Sequence, residues 1–285
     1  MNSILIAKLF ASSLSLVAPA KDTSVVGDTT SVTQRTHLNI SMTYNSIMNY
    51  YGRTDSVKYY GLYPAVGIEF KGGIYVNGSF VFIGNDQRRQ YAATVLEAGY
   101  NFASGNGHWA GNLSATKYYY QGNTDLVQSV IRGMAAASLT NLNNIANVTL
   151  EANARFSDKV DEGLQGGLDH TIRLRRVLAS DGVLIIDPTV TVYSGTQHFT
   201  QTFLQEQKFL FLPTGEQALS QNSQVFSILA YEASLPVVYG LKGLNVVFDP
   251  AYILPQHVLG ANGEVVPPAS VSNLFYITLT MKIAI

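Results

Sequence analysis

The last fifteen residues, Val271-Ser-Asn-Leu-Phe-Tyr-Ile-Thr-Leu-Thr-Met-Lys-Ile-Ala-Ile285, constrain the fold more than any other segment. Phe275, Ile277, Leu279, Met281, Ile283 and Ile285 share one parity, and Tyr276, Thr278, Thr280, Lys282 and Ala284 share the other. A repeat of two is that of a β-strand with one apolar face and one polar face. A strand of about ten residues with apolar groups out and polar groups in crosses a bilayer at a tilt as one stave of a barrel.

Composition agrees. Only 13% of the 285 residues are charged, against about a quarter in ordinary soluble domains. Yet no run approaches the ~20 apolar residues of a membrane helix. Alternation dilutes apolar residues in just this way. A formal net charge of −1 offers nucleic acid no global attraction, so no nucleic-acid partner is expected. Cysteine is absent, which excludes disulfides and thiolate metal sites. The sequence points to no cofactor and no metal.

Lys8 precedes the apolar run from Leu9 to Val17, followed by Ala18-Pro19-Ala20. This reads as an export signal over 1–20 with an A-x-A cleavage site. Residues 21–35, rich in Thr, Ser, Val and Asp, read as a flexible periplasmic lead-in. Residues 36–285 read as one all-β domain, a transmembrane antiparallel up-and-down β-barrel of about 12 strands.

Alternating segments bounded by turn chemistry fall at 37–51, 59–70, 74–83, 91–102, 108–120, 126–139, 145–156, 164–178, 183–199, 226–238 and 244–254, before the terminal strand. The sixth is the weakest, since Ala135-Ala-Ala137 also suits a helix. The even-numbered connections, such as 71–73, 104–107 and 179–182, are tight, whereas 157–163, 200–224 and 256–270 are longer. Short periplasmic turns and long extracellular loops produce that pattern, and an even strand count returns both termini to the periplasm.

On these features the chain resembles Gram-negative outer-membrane β-barrel proteins, of an uncharacterised twelve-stranded type, over roughly residues 36–285. The resemblance is carried by the terminal strand and by pieces such as Pro188-Thr-Val-Thr-Val-Tyr-Ser-Gly195 and Tyr231-Glu-Ala-Ser-Leu-Pro236. It departs from many such proteins in ending on Ile285 rather than an aromatic residue. The resemblance implies outer-membrane lipid and the barrel-assembly machinery as partners. The alternative is a soluble lipocalin-like barrel or β-sandwich, whose polar face would be the outer one.

Parity assigns Glu69, Glu97, Arg132, Glu151, Arg155, Asp169, Arg173, Arg175, Asp187, Glu232, Asp249 and Lys282 to the lumen, with the arginines forming one basic wall. Such charges either cross-pair and fill the barrel or border water and bias which solutes pass. The expected function is a narrow pore for passive passage of small solutes. The alternative is a filled structural barrel whose loop 200–224, with its apolar Phe209, Leu210, Phe211 and Leu212, binds a partner or surface ligand. The tyrosine pairs 50–51 and 59–60 and the run 118–120 fall near the outer rim and suggest an aromatic girdle. The histidines are scattered: Asp169 and His170 point to opposite sides of a strand, and His198 sits at the mouth as a loop residue would. The chain is therefore expected not to be an enzyme.

Overall fold

In a computed structural model, which describes residues 36–52, 58–121, 131–198, 225–256, 258–259, 265–266 and 273–285, these alternating segments form a closed twelve-stranded antiparallel barrel. The staves of the first half are β1 (His37–Asn45), β2 (Tyr60–Glu69), β3 (Ile74–Gly84), β4 (Arg89–Ala103), β5 (Trp109–Tyr120), β6 (Gly133–Asn141) and β7 (Asn147–Phe156). Three staves follow, each in two pieces: β8 (Val160–Asp169) with β9 (Ile172–Arg175), β10 (Val183–Ile186) with β11 (Thr189–Gly195), and β12 (Ser227–Ser234) with β13 (Val237–Leu241). The last staves are β14 (Leu244–Pro255) and β17 (Leu274–Ala284). Between these two, β15 (Val258–Leu259) and β16 (Val265–Val266) pair as a separate small ladder.

Closure comes from β1 pairing with β17, from Asn39↔Ala284 to Asn45↔Thr278. No strand edge is then left open to hydrocarbon, where an unpaired backbone group costs several kcal/mol. The sequence suggested continuous eighth, ninth and tenth staves, and the structure instead creases them side by side. Pro188 and Pro236 stand in two of the breaks, and Pro250 of β14 lies beside them. Proline has no N–H to give the ladder. Cross-links at the crease use the proline carbonyls instead: His170 N–H donates to Pro188 (3.2 Å), Asp187 N–H to Pro236 (2.9 Å) and Leu235 N–H to Pro250 (3.0 Å).

The apolar parity faces outward. Ile40, Leu96, Leu113, Leu150, Leu168, Phe275 and Met281 are all exposed, Leu150 at 57% and Phe275 at 54%. A continuous belt of this kind is far beyond the few hundred Å² of apolar patch that a soluble monomer tolerates. Thr43, Glu97, Thr116, Glu232 and Thr280 are buried on the inner side. This polarity, inverted relative to a soluble barrel, rules out the lipocalin-like alternative and makes the molecule a β-barrel of the outer-membrane kind.

The rim carrying His37 and Ala284 (the near rim) has tight connections at 70–73, 104–108, 142–146, 176–182 and 242–243. Gly72, Gly73, Gly107 and Gly243 adopt positive φ in these turns. The longest connections, including 196–226, leave from the opposite, far rim. Two far connections are nevertheless tight, 85–88 and 157–159. The expected longer loop at 157–163 is shortened because β8 begins at Val160, with Ser157 N–H bonded to the Lys159 carbonyl at 2.9 Å.

The inside–outside assignment is testable on two adjacent residues of β7. Leu150→Arg, on the belt, should cost roughly 2–4 kcal/mol in a urea refolding titration into lipid vesicles. Thr149 faces inward, its hydroxyl 2.9 Å from that of Thr140, and Thr149→Arg should cost clearly less. Equal costs would refute the assignment.

Candidate functional site: a polar lumen closed by an inserted segment

Toward the near rim, the inner wall is a lattice of short polar side chains. The Thr43 and Thr280 hydroxyls lie 2.9 Å apart. Asn112 Nδ2 reaches both Asn101 Oδ1 (2.7 Å) and the Tyr75 hydroxyl (3.1 Å). Asn147 Nδ2 donates to Asp169 Oδ2 (2.6 Å), and Thr171 donates to Asp187 Oδ1 (3.0 Å). A small cleft open to solvent remains here, lined by Ser41, Glu69, Tyr75, Asn77, Thr280 and Lys282 among others.

Toward the far rim the lumen is filled. After β1 the chain turns inward: Ser46 N–H donates to the Ile277 carbonyl (2.9 Å), and Ile277 N–H donates back to Ser46 Oγ (2.8 Å). The segment Ile47–Gly52 then crosses the interior. Met48 and Tyr50 pack with Tyr63, Ile83, Tyr118 and Met134 of one wall. Ile47 and Tyr51 pack against Tyr193, Ile253 and Tyr276 of the other. One short segment therefore bridges the barrel by presenting apolar groups to opposite walls. Bulges assist it, since the register shifts at Val81/Phe82 and at Tyr193/Ser194. The extra residues are Ala92 and Leu229, so the pairs Ala92–Ala93 and Leu229–Ala230 are buried as consecutive residues.

Arg155 holds this plug. It is 1% exposed; Nη1 donates to the Tyr50 hydroxyl and Nη2 to the Glu162 carbonyl (3.2 Å). Its guanidinium stands 5.9 Å from the centroid of the Tyr51 ring, which packs on Tyr50 (4.4 Å) and Tyr193 (5.1 Å). A side chain so placed needs backbone beneath it without Cβ. At Gly163 and Gly195 an added Cβ would meet Arg155 Nη2 at 2.5 and 3.0 Å. The plug turns back at Tyr51 and Gly52, both at positive φ, with Gly52 N–H capped by Asn49 Oδ1 at 3.1 Å.

Of the residues assigned to the lumen from sequence, Glu97, Arg155, Asp187 and Glu232 are buried inside, and Glu69, Glu151, Asp169, Asp249 and Lys282 are half-buried. Arg132 lies on the far rim, exposed, with Nη2 3.2 Å from Asp158. Arg173 and Arg175 are exposed on the β9–β10 hairpin, which projects past the end of β7. The arginines thus do not combine into a basic wall. Tyr50 and Tyr118, read as an outer girdle, are buried in the plug region; only Tyr119 of its run faces out, at 52% exposure. Phe209, Leu210, Phe211 and Leu212 lie outside the described residues, as do 1–35.

Sequence reasoning also missed an arrangement at the far rim. Asp161, wholly buried, accepts from Thr196 Oγ1 (2.9 Å) and from the backbone N–H of His198 (2.6 Å), and lies 3.1 Å from His198 Nδ1. Residues 35 and 37 positions apart meet there, and no local motif announces the pairing.

The plug's dependence on Arg155 is measurable because the chain has no cysteine. A probe thiol at Met48 (Met48→Cys) should be protected from a maleimide in the otherwise unchanged barrel. Adding Arg155→Ala removes a charge-assisted bond worth about 1.5–3 kcal/mol, so labelling should accelerate by roughly 10- to 100-fold. Unchanged protection would show that Arg155 does not hold the segment.

No family model and no curated protein matches the sequence. Several solved structures match in shape. A KdgM porin covers 86% of this chain and 98% of its own at 8% identity and a TM-score of 0.47. LpxR from Salmonella typhimurium covers 86% and 99% at 9% identity and a TM-score of 0.49. The β domain of the Bordetella autotransporter BrkA covers 87% and 98% at 13% identity and a TM-score of 0.38. The expectation that this chain is not an enzyme is withdrawn, since a barrel of this kind does not exclude catalysis. The barrel assignment itself rests on the strand pairing and the outward apolar belt.

Proposed function

We propose that the chain is a gated outer-membrane channel for small solutes, with its near rim and both termini on the periplasmic side. The observation carrying this reading is the contrast within one lumen: among the described residues, a polar half open to solvent and a half occupied by the inserted segment Ile47–Gly52. A barrel that is only a scaffold could be packed by its own staves, as small barrels are. Here, among the described residues, the filling comes from Ile47–Gly52, a segment that belongs to none of the twelve staves. Lipid on the outer belt and the assembly machinery are the partners this reading requires.

The second reading is a permanently filled barrel that binds a partner through loop 200–224. It is favoured by the packing of the plug against both walls. Conductance in planar bilayers separates the two, using protein shown to be folded by its heat-modifiable gel mobility. The unaltered barrel should be closed for most of the recording. Tyr50→Ala with Tyr51→Ala, which removes the bridging rings without changing charge, should raise open probability by at least about tenfold, the equivalent of 1.4 kcal/mol. A folded variant that stays silent would overturn the channel reading.

A further inference from the structure

We infer that the lumen passes cations in preference to anions, an inference that rests on the channel reading and names its solute class. Its basis is the charge that the fold leaves inside once the outer arginines are subtracted. In the middle of the lumen, Glu97 of β4, Glu151 of β7 and Glu232 of β12 come from three separate walls. Their described bonds are to neutral donors: Thr116 Oγ1 to Glu97 (3.4 Å), Asn153 Nδ2 to Glu151 (3.5 Å) and the Tyr276 hydroxyl to Glu232 (2.9 Å). The ion pairs among the described residues join Arg132 to Asp158 and Lys242 to Asp181, so Glu97 and Glu151 take part in neither. Among the described residues the guanidinium buried nearby is that of Arg155, whose Nη groups bond the oxygens of Tyr50 and Glu162; its single positive charge offsets one of these three carboxylates and leaves the lining acidic on balance.

A second observation is independent of the acids. Ser79, 0% exposed on the inner face of β3, has an Oγ without a hydrogen-bond partner among the described residues. It lies one inward position beyond Asn77, which pairs with Glu97 across the β3–β4 ladder. The Tyr63 hydroxyl, on a ring 3% exposed, is likewise without a partner. Two buried oxygens of the inner wall thus have no hydrogen-bond partner among the described residues. Carboxylate, hydroxyl and amide oxygens replace the hydration shell of a cation and repel an anion.

Nearer the rim, Glu69, Asp169, Asp187 and Asp249 continue the acidic lining, against Lys282. Arg173 and Arg175 stand at the open mouth, exposed to solvent, where salt screens them over about 10 Å at 0.1 M. Charges buried in the wall are screened much less. Small inorganic or organic cations are therefore the class this lumen takes.

The test is the zero-current potential of the Tyr50→Ala/Tyr51→Ala barrel in a roughly tenfold KCl gradient. The inference expects potassium to permeate at least about three times better than chloride. Adding Glu97→Gln and Glu151→Gln, isosteric and neutral, should move that ratio toward unity, and Glu232→Gln should move it further. Conducting channels with no preference, or with chloride preferred, would overturn the inference and leave the channel reading standing. A preference insensitive to all three substitutions would also overturn it, since the selectivity would then arise elsewhere. Absence of any conductance would fell both readings together.

Discussion

Everything in this molecule depends on the antiparallel pairing of β1 with β17. A sheet in hydrocarbon has no water to satisfy an open edge, so it must close or fail. Seven residue pairs, from Asn39↔Ala284 to Asn45↔Thr278, make that closure. The pairing also brings Thr43 against Thr280 inside and leaves Met42 beside Met281 outside. Backbone satisfaction, outer belt and inner lattice are one event. The creases at Pro188, Pro236 and Pro250 are tolerated because they line up on neighbouring staves and share carbonyl acceptors.

Closure creates an interior, and the interior poses the next problem. A cylinder of this size lined by short polar groups holds water unless something is placed in it. The chain fills its far half with Ile47–Gly52, whose side chains alternate between two walls as those of a strand do. The cost is a buried guanidinium. Arg155 is met by a hydroxyl, a carbonyl and an aromatic face rather than by an ion pair, which satisfies its charge only in part. Glycines at 163 and 195 open the wall behind it.

Much of the wall was legible in the sequence. Strict alternation in β5, β7 and β17 identifies both the strand and the face, because side chains of a strand point to opposite sides without exception. Leu150 and Thr149 could be assigned from that rule alone. The rule fails where the backbone departs from regular pairing. The bulges opposite Val81 and Tyr193 place two consecutive residues inside, and periodicity contains no sign of them. It fails also at strand ends: Arg132, Arg173 and Arg175 have the right parity for the lumen but lie beyond the wall that would enclose them.

The site was less legible than the wall for a related reason. Tyr50 and Tyr51 occupy a loop at the end of a strand, where an interfacial girdle is the local expectation. Their true surroundings, Arg155, Tyr193 and Ile253, lie at least a hundred residues away in sequence. The same holds for Asp161 and His198. By itself the sequence determined the class of structure, the number of staves and the faces of most of them, because membrane crossing imposes a local period of two on every strand. Tertiary structure alone decided what occupies the lumen and which charges remain inside it. Those outcomes depend on shear, closure and the path of one inserted segment, and these bring together residues whose spacing in the chain has no pattern.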